Sequence, residues 1–355
     1  MKHLPNEIFS GYWNGGHVQG IAIDTVRGYA YYSFTTMLIK TDLDGTLIGS
    51  VKNLTGHLGC ITYDTTKNCV YGSLEYKHDS IGRGIMGKTG KALADEDAFY
   101  AVKFDCTAIN RPDMDAETDS VMQAVYLCDA VRDYSECDEI SSTEHRYGCS
   151  GIDGTGLGPV FGAHKDSPKK LMIAYGIYSN TERTDNDHQI ILQYDPDIFD
   201  TYGKPLCQLH PHHSGPEACE KRYFLYTGNT SFGIQNLEYD AYTENWIVAV
   251  YKGKKVQFSN QPLFLIDGKT ALETRSLIGR GGETGEVLTL AELGVKDHNG
   301  IYGIDFPYGQ TGVCALGNGR YYFSHPKKHG DGSFSSTVVQ YGINPQDPQV
   351  FYEIP

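Results

Sequence analysis

Three histidines and one glutamate stand at related places in repeated segments of this chain. His17 begins HVQGIAID and His57 begins HLGCITYD, while Glu75 lies near the end of NCVYGSLEY and His325 ends RYYFSH. Imidazole and carboxyl groups transfer protons near neutral pH, and both are ligands of divalent transition metals. The sequence therefore predicts a catalytic set of His17, His57, Glu75 and His325. The same four side chains are the candidate ligands for a divalent metal ion, although no local spacing of the H-E-x-x-H kind accompanies them.

A second set of polar residues is predicted to contact the substrate. The segment after Glu75, YKHDSIGRGIMGKTGKALADED, is basic and rich in glycine. Its cations suit an anionic group such as a sugar carboxylate, and the alternative is a solvated loop whose charges face water. The predicted substrate-binding residues are Lys77, His78 and Arg83 from this loop, together with Tyr178, Gln235 and Tyr302.

The elements that must position these residues recur five times along the chain. Each repeat starts with a polar or small residue that leads into an apolar strand, and further short strands rich in Tyr and Val follow. Such a four-stranded unit cannot bury both faces alone and must stack on its neighbours around a central channel. The sequence predicts an all-β fold, a five-bladed β-propeller with four antiparallel strands per blade, in a single domain over residues 1–355. The inner strands are predicted near residues 17–24, 57–64, 148–154, 233–240 and 300–306.

This architecture explains why distant residues are expected to meet. An inner strand leaves one channel mouth and the second strand returns to it, so the start of the first and the end of the second lie together. Because blades 5, 1 and 2 are consecutive, the four catalytic candidates are expected in one sector of the mouth. The ring must also be closed, and both the N-terminal NEIFSG segment and the C-terminal VFYEIP segment are candidates for the outer edge of the last blade.

The basic loop also contains GRGIMGKT, from Gly82 to Thr89, which matches the formal pattern of a phosphate-binding loop. That pattern works only where a buried parallel strand precedes the loop and a helix follows it. Antiparallel blade strands flank it here, so we interpret the match as a coincidence.

Composition excludes some classes of partner. The formal net charge of the 355-residue chain is −14, which opposes binding to a nucleic-acid backbone, and no apolar run approaches the length of a membrane span. The N-terminus lacks a secretory h-region, so a cytoplasmic protein is expected, with a mature secreted fragment as the alternative. The nine cysteines are an odd number without a paired framework and are expected to be mostly free thiols. The expected partner is a small molecule or an oligosaccharide, and the sequence does not indicate an oligomeric state.

The repeat plan resembles the five-bladed β-propeller superfamily, which includes glycoside hydrolases with three catalytic carboxylates, lectins and calcium nucleotidases. In those hydrolases carboxylates begin the inner strands, whereas this chain has His17, His57, Ser150, Gln235 and Tyr302 there. The histidine-rich mouth is similar to that of propeller polysaccharide lyases, which have more blades. The resemblance implies an enzyme, of lyase or hydrolase type, that acts on a carbohydrate or another polar metabolite. The alternative is a non-catalytic propeller that binds a sugar or a protein.

Overall fold

A computed structural model describes residues 4–92, 94–138 and 142–355. Residues 1–3, 93 and 139–141, all inside the predicted domain, lie outside this set. Strands account for 46% of the structure and helices for 7%, and five small sheets form a ring. The predicted five-bladed β-propeller is therefore confirmed. Within the described residues, no helix combines the length and the apolar character needed to cross a bilayer.

Blade 1 follows β1 (Glu7–Phe9), a short strand that belongs to the last blade. The blade is antiparallel and its strands run outward from the channel in chain order. They are β2 (Val18–Asp24), β3 (Tyr29–Phe34), β4 (Met37–Asp42) and β5 (Leu47–Lys52).

Blade 2 carries the largest insertions. Its sheet consists of β6 (His57–Asp64), β7 (Cys69–Tyr76), β8 (Ala98–Asp105) and β10 (Met122–Tyr126). The inserted elements are helix α1 (Ser80–Thr89), strand β9 (Met114–Asp115), which pairs in parallel with β5, helix α2 (Cys128–Ser135), and the hairpin of β11 (Cys137–Asp138) and β12 (Thr143–Glu144). The segment that matches a phosphate-binding loop is therefore itself a helix.

The segment that follows the third strand of blade 4 contributes to the sheets of both blade 3 and blade 4. Blade 3 starts after a 3-10 turn (Arg146–Gly148) and contains β13 (Cys149–Pro159), β14 (Lys169–Ile177), β15 (His188–Tyr194), helix α3 (Ile198–Tyr202) and β16 (Lys221–Tyr226). Blade 4 contains β17 (Thr230–Asp240), β18 (Asn245–Lys252) and β19 (Leu263–Asp267). The next two strands, β20 (Glu273–Ser276) and β21 (Thr284–Val287), extend blade 3, because β21 pairs in parallel with β16.

The segment TRSLIG (residues 274–279), which follows the third strand of blade 4, does not form the outer strand of that blade. All four residues of β20 are exposed, so this strand has no apolar face to bury against a neighbouring blade. Residues 289–291 take the outer position instead. The Asp267 amide donates to the Thr289 carbonyl and the Ala291 amide donates to the Leu265 carbonyl, while the Leu290 side chain packs against the core between blades 3 and 4.

Blade 5 differs from the prediction in its innermost strand. Residues near 300–306 form only a hairpin of β22 (Val295–Lys296) and β23 (Tyr302–Gly303), and the inner strand is β24 (Val313–Ala315). The apolar pattern of the predicted strand has another cause, because Ile304 and Phe306 pack in the core between blades 4 and 5. The blade continues outward with β25 (Arg320–Lys328) and β26 (Phe334–Ile343).

Both chain termini close the ring. Strand β1 pairs with one end of β26, and β27 (Phe351–Glu353) pairs with the other end. The Asn6 side-chain amide also donates a 2.9 Å hydrogen bond to the Pro355 carbonyl. The two segments that competed for the outer edge in the sequence therefore share it end to end.

The core is divided among the interfaces between blades. Tyr31 packs between blades 1 and 2, whereas its neighbour Tyr32 packs between blades 5 and 1. Val70 and Tyr71 alternate in the same way on either side of blade 2. Successive residues of a strand point to opposite faces of the sheet, so a blade with both faces covered needs apolar residues at consecutive positions.

Candidate active site

Irregularities in the inner strands point side chains into the channel. Register shifts occur between Val18 and Gly20 in β2, between Ile152 and Thr155 in β13, and after Ile234 in β17. The residues inside these shifts include Gln19, Asp153 and Gln235, and all three line one cavity of about 450 Å³. A bulge re-aims a side chain that a regular strand would place between the blades.

Blade 2 has a glycine at the matching position. A Cβ atom on Gly59 would lie 2.4 Å from Asp153 Oδ1, which is closer than any carbon–oxygen contact allows. The Ser73 hydroxyl donates to the Asp153 carbonyl at 2.6 Å, just as the Ser33 hydroxyl donates to the Gly59 carbonyl at 2.7 Å. Gly59 and Asp153 are therefore equivalent positions, and the glycine leaves room for the carboxyl group.

Asn236 separates this cavity from the opposite end of the channel. Its side-chain amide donates to the Gln19 carbonyl at 2.8 Å and to the Gln310 carbonyl at 3.1 Å, and the Cys60 thiol donates to its Oδ1 at 3.2 Å. On the far side lies a second cavity of about 270 Å³, which contains Glu238.

His57, Glu75 and Lys77 form a buried charged cluster in the first cavity. Antiparallel pairing of β6 and β7 places His57 opposite Glu75, as the propeller geometry predicts. His57 Nδ1 lies 3.4 Å from Glu75 Oε1, which is an ion-pair distance, and Lys77 Nζ lies 2.6 Å from the same oxygen. The other carboxylate oxygen of Glu75 accepts a 3.0 Å hydrogen bond from the Ile152 amide. Glu75 is only 4% exposed, and each of its oxygens has a partner.

Gly151 makes this arrangement possible. Its φ angle is +117°, and a Cβ atom there would lie 2.1 Å from Glu75 Oε2. A side chain at this position would both strain the backbone and displace the carboxylate.

The cluster fixes the charges of its members. Burial opposes ionisation of Glu75, but Lys77 and His57 outweigh it and hold the pKa of Glu75 below its ordinary value. Burial likewise opposes a charged Lys77, but Glu75 and Asp79 raise its pKa. The Glu75–Lys77 pair is therefore charged and mutually neutralised at neutral pH.

Asp153 behaves in the opposite way. Burial raises its pKa to about 7, and the charge of Glu75 adds to this effect while His57 and Lys77 oppose it. The side chain is buried, and its Oδ1 atom has no hydrogen-bond partner among the described residues. Burial also disfavours protonation of His57, but the neighbouring Glu75 carboxylate and the charge of Asp153 raise its pKa above the ordinary value. The cavity thus contains a carboxyl group that titrates near neutral pH and an imidazole whose pKa is coupled to it.

The rim of the cavity combines a histidine, a helix and two aromatic rings. His17 is half-buried, and its pKa is lowered by burial and by His57. Helix α1 covers one side of the cavity. Asp79 caps the N-terminus of this helix, and Gly90 ends it in a left-handed conformation. From blade 4, Phe232 and Tyr251 line the opposite side. Phe232 has a φ angle of +64°, which is unusual for an aromatic residue.

His325 and Tyr302, both predicted to belong to the site, lie elsewhere. The His325 ring stacks on Tyr308 at 3.6 Å and its Nε2 atom lies 3.0 Å from the Tyr341 hydroxyl. It belongs to a separate groove on blade 5. Tyr302 lies beneath the ammonium group of Lys296. The cause is the displaced inner strand: no described residue of blade 5 lines the cavity, which blades 1 to 4 build.

Most of the predicted loop contacts have other partners. His78 Nδ1 lies 3.0 Å from Asp97, and the guanidinium group of Arg83 donates to the His78 carbonyl. The Tyr178 hydroxyl donates to Asp79 at 3.4 Å, where it supports the cap of α1. Of the predicted substrate-binding residues, only Lys77 and Gln235 line the cavity.

The four predicted metal ligands do not come together. His57 and Glu75 are adjacent, but His325 is on blade 5. Across residues 4–92, 94–138 and 142–355, no group of three or more His, Cys, Asp or Glu side chains is placed to hold a metal ion.

The sequence analysis does not find Asp153 because the predicted inner strand of blade 3 lies three residues too early. The inner strands predicted near residues 17–24, 57–64, 148–154 and 233–240 place Gly20, Cys60, Gly151 and Asn236 at the same level. In the structure the Cys60 thiol reaches both the Thr155 carbonyl and Asn236, so Gly154 is the residue level with Cys60. The residue just before this level is Gln19 in blade 1, Gln235 in blade 4 and Asp153 in blade 3. The sequence therefore has a polar residue at the same level in blades 1, 3 and 4, but the long β13–β14 hairpin shifts the alignment of blade 3.

Comparisons with known proteins identify no family. No protein-family model matches the chain, and no curated protein matches it in sequence. Solved structures with a similar fold include the soluble aldose sugar dehydrogenase of Escherichia coli in its apo form. It has 9% sequence identity and a TM-score of 0.38 over 96% of this chain and 99% of that chain. They also include the arabinanase Arb43A of Bacillus subtilis, with 12% identity and a TM-score of 0.40 over 94% of this chain and 97% of that chain. Hydrazine synthase of Kuenenia stuttgartiensis has 10% identity and a TM-score of 0.37 over 95% of this chain and 83% of that chain.

Proposed function

We propose that this protein is an enzyme that cleaves a carbohydrate or a related polar metabolite by general acid–base catalysis at the mouth of the propeller. One observation carries the proposal: the buried carboxyl group of Asp153 has an oxygen without a hydrogen-bond partner, faces the cavity and interacts with His57. A structural carboxyl group would be expected to have its polar atoms satisfied. A carboxyl group with a pKa of about 7 beside an imidazole is a pair of groups suited to proton transfer.

We propose a role for each residue of the cluster. Asp153, protonated up to about pH 7, donates a proton to the leaving group. His57 accepts a proton, either from an attacking water in a hydrolase or from a carbon atom in a lyase. Glu75 positions His57 and is itself held by Lys77. Because both oxygens of Glu75 are occupied, it is a poor nucleophile, and the site does not match the paired-carboxylate arrangement of retaining glycosidases.

The rest of the cavity suits a polyhydroxylated ligand. The amides of Gln19 and Gln235 and the hydroxyl groups of Thr35 and Ser150 line it, and such groups both donate and accept hydrogen bonds. Phe232 is 47% exposed at the rim although it is a large apolar residue. An aromatic face held in a strained backbone conformation is a suitable surface for the apolar face of a sugar ring.

The test is turnover of a panel of aryl glycosides and plant polysaccharides by the protein and by the variants Asp153→Asn and His57→Gln. Removal of a general acid or base should lower kcat by about 10²- to 10⁴-fold. The matched control is Glu238→Gln, which changes a half-buried carboxyl group with a raised pKa at the other end of the same channel and should leave kcat unchanged.

Two results would contradict the proposal. Turnover by Asp153→Asn and His57→Gln at the rate of the unmodified protein would show that the reaction does not use these groups. Tight binding of a sugar without turnover under any condition would favour the alternative of a non-catalytic binding propeller.

A further inference from the structure

The charges around the cavity are not balanced. Lys77 is neutralised by Glu75 at 2.6 Å and by Asp79 at 3.6 Å. Asp153 carries little negative charge below pH 7. Among the described residues that line the cavity, no carboxylate is therefore left below pH 7 to pair with a further cation, in a chain whose formal net charge is −14.

A further cation does line this cavity, and it comes from helix α1. Lys88 lies in the last turn of the helix, on the same face as Ile81 and Ile85, because residues three and four positions apart are neighbours on a helix. Its side chain is exposed, and none of the described residues forms an ion pair or hydrogen bond with its ammonium group. Lys88 is also close enough to lower the pKa of His17 through its charge.

Two other basic residues of this segment, His78 and Arg83, are engaged in the fold. His78 is paired with Asp97 at 3.0 Å, and Arg83 donates to the His78 carbonyl. Neither lines the cavity. The sequence suggested that this basic loop recognises an anion. Of its cationic side chains, Lys88 and the neutralised Lys77 are the ones that line the cavity.

We infer that the substrate is an anionic sugar and that Lys88 is the residue that selects for its anionic group. The inference rests on the proposed function and names the substrate class of the same site. The hydroxyl groups of the sugar would contact the amides deeper in the cavity, and the anionic group would lie at the rim beneath α1. Both a carboxylate and a phosphate group have this chemistry, so the test must distinguish them.

The test is to measure, by calorimetry, the binding affinity for three sugars that differ only at carbon 6. The probes are D-galacturonate, D-galactose 6-phosphate and neutral D-galactose. We expect an anionic probe to bind more tightly than galactose, with an affinity that falls as ionic strength rises. Lys88→Gln should remove most of this preference, about a fivefold loss for the anionic probe, as expected for a partly exposed ion pair. Lys88→Arg should retain it.

The controls separate recognition from a structural role. Lys88 near the end of α1 also interacts favourably with the helix dipole, so a purely structural role would make Lys88→Gln weaken binding of charged and neutral probes equally. Lys91→Gln removes an exposed lysine three residues further along and should leave all affinities unchanged.

Three outcomes would overturn the inference: equal affinity for the charged and neutral probes, no binding of any probe, or an unchanged preference in Lys88→Gln. Because calorimetry measures binding without turnover, these outcomes are independent of the effects of Asp153→Asn and His57→Gln on kcat. A tighter complex with galacturonate identifies a carboxylate as the recognised group, and a tighter complex with galactose 6-phosphate identifies a phosphate.

Discussion

Each end of the central channel contains a carboxyl group with a raised pKa, but only at one end does that group lie beside a histidine and a buried ion pair. At one end Asp153, with a pKa of about 7, lies among His57, Glu75 and Lys77. At the other end burial raises the pKa of Glu238 to about 8, and Glu238 Oε1 accepts a 2.9 Å hydrogen bond from the Ala315 amide.

A raised pKa alone does not make a carboxyl group a candidate for catalysis. Glu238 has one oxygen satisfied by backbone and a thiol, that of Cys314, as its hydrogen-bonding neighbour. No described histidine lines its cavity. Asp153 instead has an unpartnered oxygen and a neighbouring imidazole, that of His57, whose pKa is raised. A proton relay requires such a second group.

The largest expected effect on stability comes from neutralising one glutamate at each end. Glu75→Gln leaves the buried ammonium group of Lys77 with only the more distant Asp79 as a counterion, and should lower the free energy of unfolding by about 3 kcal/mol. Glu238→Gln replaces a group that is protonated in the folded state at pH 7 but ionised in the unfolded state, and should therefore raise the free energy of unfolding by a few kcal/mol. Urea unfolding at pH 7 measures the free energy of unfolding of both variants and of the unmodified protein. Equal losses would mean that the Glu75–Lys77 pair is not a special feature of its end.

The pH dependence of stability should distinguish the two carboxyl groups by their windows. For both groups the folded pKa is raised above the unfolded one, so the folded state binds the extra proton and stability falls as pH rises between the two values. The loss should run from about pH 4 to pH 7 for Asp153 and from about pH 4 to pH 8 for Glu238, amounting to a few kcal/mol each.

Asp153→Asn and Glu238→Gln should each flatten their own part of the curve. Thermal unfolding between pH 4 and pH 9 measures the difference from the unmodified protein. A curve for Asp153→Asn that is parallel to the original throughout would show that Asp153 ionises normally.

The smallest expected effect concerns His325, which belongs to neither end of the channel. His325→Ala removes the stacking on Tyr308 and the hydrogen bond to Tyr341, and should cost about 1 kcal/mol of stability. It should leave kcat and KM of the acid–base reaction within about twofold. A large fall in kcat would restore the role that the sequence predicted for this residue and would place the reaction partly on blade 5.

The sequence predicted those features that depend on a local pattern. The five repeats, the four strands of blade 2 and the meeting of His57 with Glu75 all follow from alternation of side chains and from antiparallel pairing. Where an apolar pattern had a different cause, the prediction failed. Ile304 and Phe306 fill a gap between two blades without being part of an inner strand, and no local signal distinguishes these two uses of an apolar residue.

The site was predicted in part for the same reason. His17, His57, Glu75, Lys77 and Gln235 are correctly placed around the cavity because they belong to blades 1, 2 and 4, whose repeats were aligned correctly. Asp153 was missed because its hairpin is longer than the others. Lys88 was missed because the segment that contains it folds into a helix, and its orientation depends on the cap at Asp79.

Closure of the ring by both ends of the chain has a consequence for folding during synthesis. Strand β1 is made first, but its partner β26 is made more than 300 residues later. The N-terminal strand therefore remains unpaired until four blades have been synthesised. The outer edge of the last blade is complete only after β27 has been synthesised and has paired with β26. Contacts between such distant parts of a chain slow folding and leave strand edges exposed to other chains in the meantime.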